Sequence, residues 1–371
     1  MNRKEFISIA TGTVVIAGII YYFQSDTRNY IRADTKIENI NHISLTADEK
    51  QILYLASLAP SGHNTQPWKV KYLEPYHWVI CNDKTKWLHA VDPAQRETIL
   101  SIGAFLQNLE YAANSAGYGC RFKMLAKCNQ DESIMDVRLS KVANPGNFDI
   151  EKIKHRRTLR SGYLNELLKN EDVSFLINED PGYIHFIPNT SKENTWLNEQ
   201  TNEANKLQAS RDDAQKELAD WIRFSSKDAA ANCDGLTTAS MEIEGVAAWV
   251  LRNFYSKQDV MKQKFRQQSV SQVEKQVGQS AGWILISSID SRTETLLETG
   301  KRMQRLFLKV REKNIAIHPM TQILEEPSIA GSLNSSIGIS EAVQFILRTG
   351  YVKDYPEPVS LRRFIDKFVI T

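Results

Sequence analysis

The fold can be predicted from one polar stretch, Ala59-Pro60-Ser61-Gly62-His63-Asn64-Thr65-Gln66-Pro67-Trp68. Upstream of it a helix is expected to begin with a capping box, because Glu49 stands three residues after Thr46 and apolar residues follow. The prolines and the glycine end that helix, and alternating apolar residues from Trp68 onward predict a strand. Such a rigid polar loop suits the heteroatom edge of a planar ligand. Taken alone, these residues slightly favour a second explanation, a capped helix end whose polar groups satisfy the backbone.

The composition is that of an ordinary globular protein. The chain has 371 residues, enough for two domains, and is 42% hydrophobic and 24% charged. Its formal net charge of +2 gives no electrostatic reason to expect a nucleic-acid partner. The four cysteines show no CxxC spacing, so we expect buried thiols and assign no metal to them.

The N-terminus carries an apolar run of its own. Residues 6–23 are uncharged and mostly apolar, and the run is close to the length that spans a bilayer as a helix. Arg3 and Lys4 precede it, which puts the N-terminus in the cytoplasm and the folded body on the periplasmic, extracytoplasmic side. We therefore expect residues 1–23 to be a membrane anchor and residues 24–44 a linker. The alternatives are a signal that resembles the twin-arginine type, or export after signal cleavage.

Two domains are expected after the linker. The turn-forming residues 144–147 predict a boundary, with a first domain at 45–148 and a second at 149–371. In the first domain, Asp92 and Pro93 predict the start of a long helix with a buried apolar stripe. In the second, strands are predicted at 281–287 and 342–351, an amphipathic helix at 293–313, and a charged, helix-rich insertion at about 192–275.

Two basic segments are candidates for binding a phosphate group. The run Arg156-Arg157-Thr158-Leu159-Arg160 and the pair Arg362-Arg363 could grip a dianion through charge-assisted hydrogen bonds. An isolated basic run is more often a solvated surface, so these residues alone favour that second interpretation.

The polar stretch closely resembles the flavin-contacting Ser-x-x-Asn-x-Gln-Pro-Trp loop of the nitroreductase superfamily. The extended pattern resembles one branch, the FMN-binding oxidoreductases named after the mycobacterial Acg protein. Further matching blocks lie at residues 91–97, 101–105, 108–109, 112–113, 304–306, 317–320, 347–351 and 360–363. The resemblance covers roughly residues 45–370 in scattered blocks. It implies an α+β fold with an antiparallel or mixed sheet flanked by helices.

The same resemblance implies a flavin site without a catalytic side chain, because the FMN cofactor carries the chemistry. The polar loop is expected at the ribityl chain or the ring, the two basic segments at the phosphate with Arg157 as an alternate, and a third segment beside the ring. The implied FMN-binding residues are Ser61, Asn64, Gln66, Arg156, Arg157, Thr158, Arg160, Pro319, Met320, Gln322, Arg362 and Arg363. Met320 is equally well explained as core packing.

Ordinary nitroreductases bind flavin between two chains, whereas this chain divides the motifs between its halves. The first half has the polar loop but no Arg-rich opening, and the second half has the Arg-rich opening but no second Asn-x-Gln-Pro-Trp. We therefore expect two fused halves that form an internal pseudo-dimer, compatible with a monomeric protein, around one FMN site.

The function expected from this resemblance is that of an FMN-dependent oxidoreductase. Hydride would pass through FMN from NAD(P)H or another donor to a nitroaromatic, a quinone or a similar small-molecule acceptor. The alternative is a flavin-sequestering or sensing protein with little turnover, in which the insertion at 192–275 is a lid over the flavin.

Overall fold

The structure is a computed structural model that describes residues 45–371. The predicted membrane anchor at 1–23 and the linker at 24–44 lie outside the described residues, so the anchor, the export signal and the extracytoplasmic location remain predictions. Within residues 45–371, no helix combines the length and the apolar character needed to cross a bilayer.

The first half of the described chain combines α-helices with antiparallel strands. In chain order its elements are α1 (Ala47–Ser57), β1 (Trp68–Glu74), β2 (His77–Asn82), α2 (Arg96–Ser115), β3 (Tyr118–Met124) and β4 (Ser133–Lys141). The predicted capping box at the start of α1 is present. Thr46 Oγ1 accepts a hydrogen bond from the Glu49 backbone N–H at 3.2 Å, and Glu49 Oε2 accepts one from the Thr46 N–H at 2.8 Å.

The start of α2 differs from the sequence prediction. Asp92 is predicted to be the N-cap, but the helix begins at Arg96, after Gln95 in a left-handed conformation with φ of 56°. Asp92 Oδ2 nevertheless accepts a hydrogen bond from the Thr98 N–H at 3.0 Å. The carboxyl group thus satisfies a first-turn amide from a loop several residues upstream, which a local capping pattern does not reveal.

The second half contains the predicted insertion between its first and second strands. Before the insertion lie α3 (Glu151–His155), α4 (Asn170–Ile177) and β5 (Ile184–Pro188). The insertion consists of α5 (Lys192–Ser210), α6 (Asp212–Trp221), α7 (Ser226–Asn232), α8 (Gly245–Phe254), α9 (Lys257–Val260) and α10 (Gln263–Val277). After it come β6 (Gly282–Ser288), α11 (Thr293–Lys309), β7 (Ile315–Pro319), α12 (Gln322–Glu325), α13 (Pro327–Ile337), β8 (Ala342–Tyr351) and β9 (Val369–Ile370).

The strands form two separate sheets. The first has the order β3-β4-β2-β1-β9, and the second has the antiparallel order β5-β6-β8-β7. The last strand, β9, pairs in parallel with β1, and the Val70 N–H donates to the Phe368 carbonyl at 2.8 Å. The sequence expectation put all of 149–371 in the second half, whereas the chain end returns to the first sheet and buries Phe368 there.

The largest hydrophobic core joins the two halves. It contains Phe105 and Leu109 of α2 together with Leu306 and Phe307 of α11. Gln304 Nε2 also donates a buried hydrogen bond of 2.7 Å to Asn108 Oδ1 across the contact. The paired helices therefore fix how the two halves meet, and the candidate site lies along that seam.

Candidate functional site

A cavity of about 370 Å³ opens between the polar loop, the start of α2, the residues around α12 and the insertion. This volume is typical of small-molecule sites. A smaller cavity of about 70 Å³ adjoins it and shares six lining residues, Pro60, Ser61, His63, Thr158, Arg160 and Leu236. The two cavities together make one elongated site with a wide end and a narrow end.

The polar loop adopts an unusual backbone conformation at this site. His63, Asn64 and Gln66 have φ values of 47°, 55° and 55°, a left-handed region that residues other than glycine rarely occupy. The loop is held in this shape because Ser61 Oγ accepts a hydrogen bond from the Gln66 N–H at 2.9 Å. The Ser61 carbonyl also accepts one from the Asn64 N–H at 3.0 Å. Strained loops of this kind persist where surrounding contacts determine them.

Asn64 and Gln66 connect the loop to distant parts of the chain. The Asn64 amide donates to the Gly235 and Leu361 carbonyls at 3.1 Å each, and the Gln66 amide donates to the Cys233 carbonyl at 3.0 Å. The insertion and the C-terminal arm are thereby fastened to the loop. Asn64 also lines the narrow cavity, but Gln66 lines neither cavity.

The narrow end is basic. Predicted site residues from both basic segments line it, namely Arg156, Arg157, Thr158, Arg160 and Arg362. Arg160 Nε donates to the Ser240 carbonyl at 3.1 Å, and its Nη1 lies 2.8 Å from His318 Nε2. Because these partners are neutral acceptors, the Arg160 charge suits a bound anion.

The tautomer of His318 follows from that contact. Guanidinium groups only donate, so Nε2 of His318 must accept and carries no proton. Burial, and then the positive charges of Arg160 and Arg348, hold the pKa of His318 well below its usual range. Burial also lowers the pKa of Arg160. The pair therefore has one positive charge, located on the arginine.

The other arginines of the narrow end are anchored by backbone carbonyls. Arg362 Nη2 donates to the carbonyls of Leu58 and Ala59 at 3.1 Å each. The guanidinium of Arg156 lies 4.9 Å from the centre of the Phe307 ring. These contacts fix several guanidinium groups around one small space.

Arg157 has a nearby counter-ion as well as a backbone partner. Its Nη1 donates to the Glu357 carbonyl at 2.5 Å, and its Nη2 lies 3.6 Å from Glu242 Oε1. Part of its charge is therefore offset by Glu242.

Arg363 does not line the narrow end, although the sequence pattern places it with Arg362. Its guanidinium is buried and donates to the carbonyls of Gln66 and Trp68 at 2.5 and 2.7 Å. Its Nη1 lies 3.6 Å from Asp83 Oδ2. Arg363 lines neither cavity, because these contacts direct it toward the first sheet. Together with Gln66 it connects the C-terminal arm to the loop.

The wide end contains the third predicted segment. Pro319, Met320 and Gln322 line it, and Met320 is at the same time part of a buried core cluster. Gln322 Oε1 and His63 Nδ1 are buried at this cavity and lack a hydrogen-bond partner within the described residues. Burial lowers the pKa of His63 to about 4. Unpaired buried polar atoms are rare, so these two suit a ligand with hydrogen-bonding heteroatoms.

Sequence reasoning missed several residues of the wide end. Glu97 lies inside a block that matches the family pattern, but the pattern gives it no role, and Thr321 and Glu325 carry no sequence signal. Burial and the charge of Glu97 raise the pKa of Glu325 to about 8. Helices of the insertion supply further lining residues, among them Asn205, Gln208, Gln215, Val273 and Gln276.

The described residues contain no group of three or more His, Cys, Asp or Glu side chains arranged to hold a metal ion. The four cysteines are free thiols. Two of them, Cys81 and Cys233, are buried, whereas Cys128 is exposed, so the expectation of buried thiols does not hold for that residue.

Comparison with known proteins gives two informative relatives, although no family model matches the chain. The chain is 21% identical over 313 residues to PigM of Serratia sp., which is named a probable NAD(P)H nitroreductase, covering 80% of this chain and 86% of PigM. It is 39% identical over 69 residues to Acg of Mycobacterium tuberculosis, which also has nitroreductase in its name. That second match covers 18% of this chain and 20% of Acg.

Among solved structures, a nitroreductase-like family protein from Bacillus cereus aligns with a TM-score of 0.33 at 12% identity, covering 60% of this chain and 94% of that chain. The two sequence relatives confirm the family that the motifs predict. By sequence the chain is similar to nitroreductases, among them the Acg protein.

Proposed function

We propose that the chain is an FMN-dependent oxidoreductase of nitroreductase type. It would transfer reducing equivalents from NAD(P)H or another donor to a nitroaromatic, a quinone or a similar small acceptor. One observation carries this proposal: a single elongated cavity has a narrow end lined by arginines and a wide end with unpaired polar atoms. PigM and Acg both have NAD(P)H nitroreductase in their names, which supports the same reaction class.

The residues present fit the chemistry of FMN. Arg156, Arg157, Arg160 and Arg362 suit a phosphate dianion, because guanidinium groups form charge-assisted hydrogen bonds to phosphate oxygens. At the wide end, His63 Nδ1 and Gln322 Oε1 can pair with heteroatoms of a ring. When bound, FMN supplies two-electron redox chemistry that no amino-acid side chain offers.

The chain's own contribution is binding, orientation and exclusion of water. Arg160 stabilises negative charge in a partly buried site, where electrostatic interactions are stronger than in water. Lining residues of the insertion, such as Asn205 and Gln215, close one side of the cavity. A small acceptor would therefore meet a site that is shielded from bulk solvent.

We also propose that the two halves form an internal pseudo-dimer. Each half has a sheet and a long helix, α2 in the first and α11 in the second, and these helices pack together. Both helices carry the pattern Leu-x-x-Gly at their contact, Leu100 to Gly103 and Leu297 to Gly300. The polar loop comes from the first half and the Arg156–Arg160 run from the second, so one site draws on both.

Flavin titrations of the full chain test the phosphate assignment. We expect the unsubstituted protein to bind FMN more tightly than riboflavin, which lacks the phosphate. Arg160→Met should weaken FMN binding by about 10-fold to 100-fold, the range for one hydrogen bond to a charged group, and should leave riboflavin binding nearly unchanged. Arg292→Met, at an exposed position, is the matched control. Equal losses for both flavins would overturn the assignment, and failure of the unsubstituted protein to bind FMN would overturn the proposed function.

A flavin-sequestering or sensing role is the second candidate, because the insertion covers part of the cavity. Asn205 of α5, Gln215 of α6 and Val273 of α10 all line it, so access for a nicotinamide depends on these helices. Anaerobic visible spectra of the FMN-loaded protein separate the two roles. Rapid bleaching by NADPH or NADH supports the enzyme, whereas bleaching by dithionite alone supports sequestration or a different donor.

A further inference from the structure

Two carboxyl groups contact the same hydroxyl at the wide end of the cavity. Thr321 Oγ1 lies 2.9 Å from Glu97 Oε1 and 2.9 Å from Glu325 Oε1. A hydroxyl carries one hydrogen, so it can donate to only one of these oxygens. At the other contact its oxygen must accept, which requires a proton on that carboxyl group. The geometry therefore calls for one protonated carboxyl in this pair.

The surroundings place that proton on Glu325. Glu97 Oε1 lies 3.1 Å from Arg96 Nη2, and a guanidinium favours the ionised carboxylate. Glu325 instead accepts a hydrogen bond from a neutral amide, Gln208 Nε2, at 2.6 Å. Burial and the negative charge of Glu97 raise the pKa of Glu325 to about 8, which agrees with the geometry.

Other charged groups also lie near Glu97 and Glu325. Arg96 of α2 opposes protonation of Glu325, since it lowers that pKa. Asp92 also interacts with Glu97; burial and then that charge raise the pKa of Asp92 to about 7. Glu326 is neutralised by Arg211, whose Nη1 lies 2.9 Å from Glu326 Oε1. The largest electrostatic influence on Glu325 is therefore the Glu97 carboxylate.

We propose that Glu325 is the acid that gives a proton to the acceptor reduced in this cavity. This rests on the proposed function, because it assumes an acceptor that takes up a hydride equivalent originating from NAD(P)H. The acceptor gains two electrons and one hydrogen in that transfer, and negative charge develops on one of its oxygen or nitrogen atoms. The O–H bond of Glu325 then breaks as an O–H or N–H bond forms on the acceptor. Solvent water returns a proton to the Glu325 carboxylate.

The pair also favours a particular class of acceptor. A neutral Glu325 can donate to an oxygen that becomes anionic, as in a quinone or a nitro group. An acceptor that is already anionic would meet the Glu97 carboxylate across the same cavity and be disfavoured. We therefore expect neutral quinones and nitroaromatics to react better than carboxylated analogues of the same size.

Infrared titration of the full chain without flavin tests the proton itself. In an Asp92→Asn background, which removes the neighbouring carboxyl whose pKa is about 7, a C=O stretching band of a protonated carboxyl should be present near pH 7 and should disappear as the pH rises through about 8. Glu325→Gln should remove this band. Glu97→Gln should move its midpoint to lower pH by about one unit or more, because a neighbouring negative charge is lost. Glu294→Gln, at an exposed position, is the control and should change nothing. Persistence of the band in Glu325→Gln would overturn the assignment, whether or not the protein binds flavin.

Rapid mixing of the reduced, FMN-loaded protein with 1,4-benzoquinone tests the proton transfer. Glu325→Gln should slow acceptor reduction about 100-fold, the scale of general acid catalysis. It should also abolish the fall in rate that the unsubstituted protein shows as the pH rises above 8. The preceding reduction by NADPH should keep its rate, because that step needs no proton from Glu325. An unchanged rate with benzoquinone would refute the role of Glu325 and leave the proposed function standing.

Discussion

Gly103 of α2 and Gly300 of α11 face each other where the two helices cross, and neither position has room for a side chain. A methyl group on Gly103 would collide with the Leu297 carbonyl oxygen, and one on Gly300 would collide with the Leu100 carbonyl oxygen. Both obstacles are backbone atoms, which cannot rotate away as a flexible side chain can. The crossing therefore sets the distance between the two halves that enclose the cavity.

Substitution at this crossing should be costly. We expect Gly103→Ala or Gly300→Ala to lower the free energy of unfolding by about 3 kcal/mol, at the upper end of the range for overpacking. Gly331→Ala in α13 is the matched control, because its methyl group would contact nothing within 4 Å. Helix propensity predicts that this control gains up to about 1 kcal/mol. Urea unfolding measures all three, and a change within about 0.5 kcal/mol at Gly103 would contradict the close approach.

The insertion is connected to the first half by a buried charge network. Asp234 Oδ1 lies 2.6 Å from Arg223 Nη2, and its Oδ2 lies 2.6 Å from Lys86 Nζ. Asp234→Asn should destabilise the protein by about 3–5 kcal/mol, because it leaves two largely buried cations without their counter-ion. Hydrogen exchange should increase most around 226–236. Asp212→Asn, which removes a carboxylate that is 83% exposed from its pair with Arg266, should cost less than about 1 kcal/mol.

Patterns formed by neighbouring residues in the sequence correctly predict some helix starts and strand bounds. The capping box of α1 and the bounds of β8 agree with the sequence, because capping and strand alternation depend on neighbouring residues. The predicted start of α2 is too early, since Asp92 reaches the first turn of the helix from a loop. The family resemblance supplied what local patterns cannot, namely that the polar loop and the Arg156–Arg160 run lie at one cavity.

The remainder of the site depends on contacts between distant residues. Glu97 and Glu325 meet only in the folded chain, and α12 is too short to show a periodic pattern. Gln66 and Arg363 carry the residue types of a flavin site, but the same amide and guanidinium groups also satisfy buried backbone carbonyls. Residue type alone cannot distinguish these two uses.

The unprotonated state of His63 makes the protein sensitive to acid. Its pKa is about 4 in the folded protein because of burial, against about 6.5 when exposed, so the unfolded state binds more protons between these values. Stability should therefore fall as the pH decreases from about 6.5 toward 4. His63→Asn keeps a residue type that tolerates the left-handed backbone. It should reduce the pH slope of the unfolding free energy by up to about 1.4 kcal/mol per pH unit.

Other groups also contribute to the pH slope of the unfolding free energy. The measurement therefore compares the pH profile of His63→Asn with that of the unsubstituted protein. His318 acts in the same direction as His63, because its pKa is also lowered. Glu325, with a raised pKa, acts in the opposite direction between about pH 4.5 and 8. Both remain in His63→Asn, and the difference between the two pH profiles isolates His63. Identical profiles would show that His63 is accessible to protons in the folded state.

A substitution at Gln66 tests whether this side chain contacts the cofactor or connects the loop to the rest of the chain. Its Nε2 donates to the Cys233 carbonyl at 3.0 Å, and its Oε1 accepts from the Arg363 N–H at 2.9 Å. Gln66→Glu keeps the size but places a carboxylate oxygen against a carbonyl, so the flavin-free protein should lose about 2–3 kcal/mol of stability. Gln130→Glu is the matched control, because that amide also donates to a carbonyl, Ala94 at 3.3 Å, but is exposed. Urea unfolding without flavin, followed by FMN titration, separates the two roles. Unchanged stability with lost FMN binding would assign Gln66 to the cofactor, because an internal connection must affect the protein before any ligand is present.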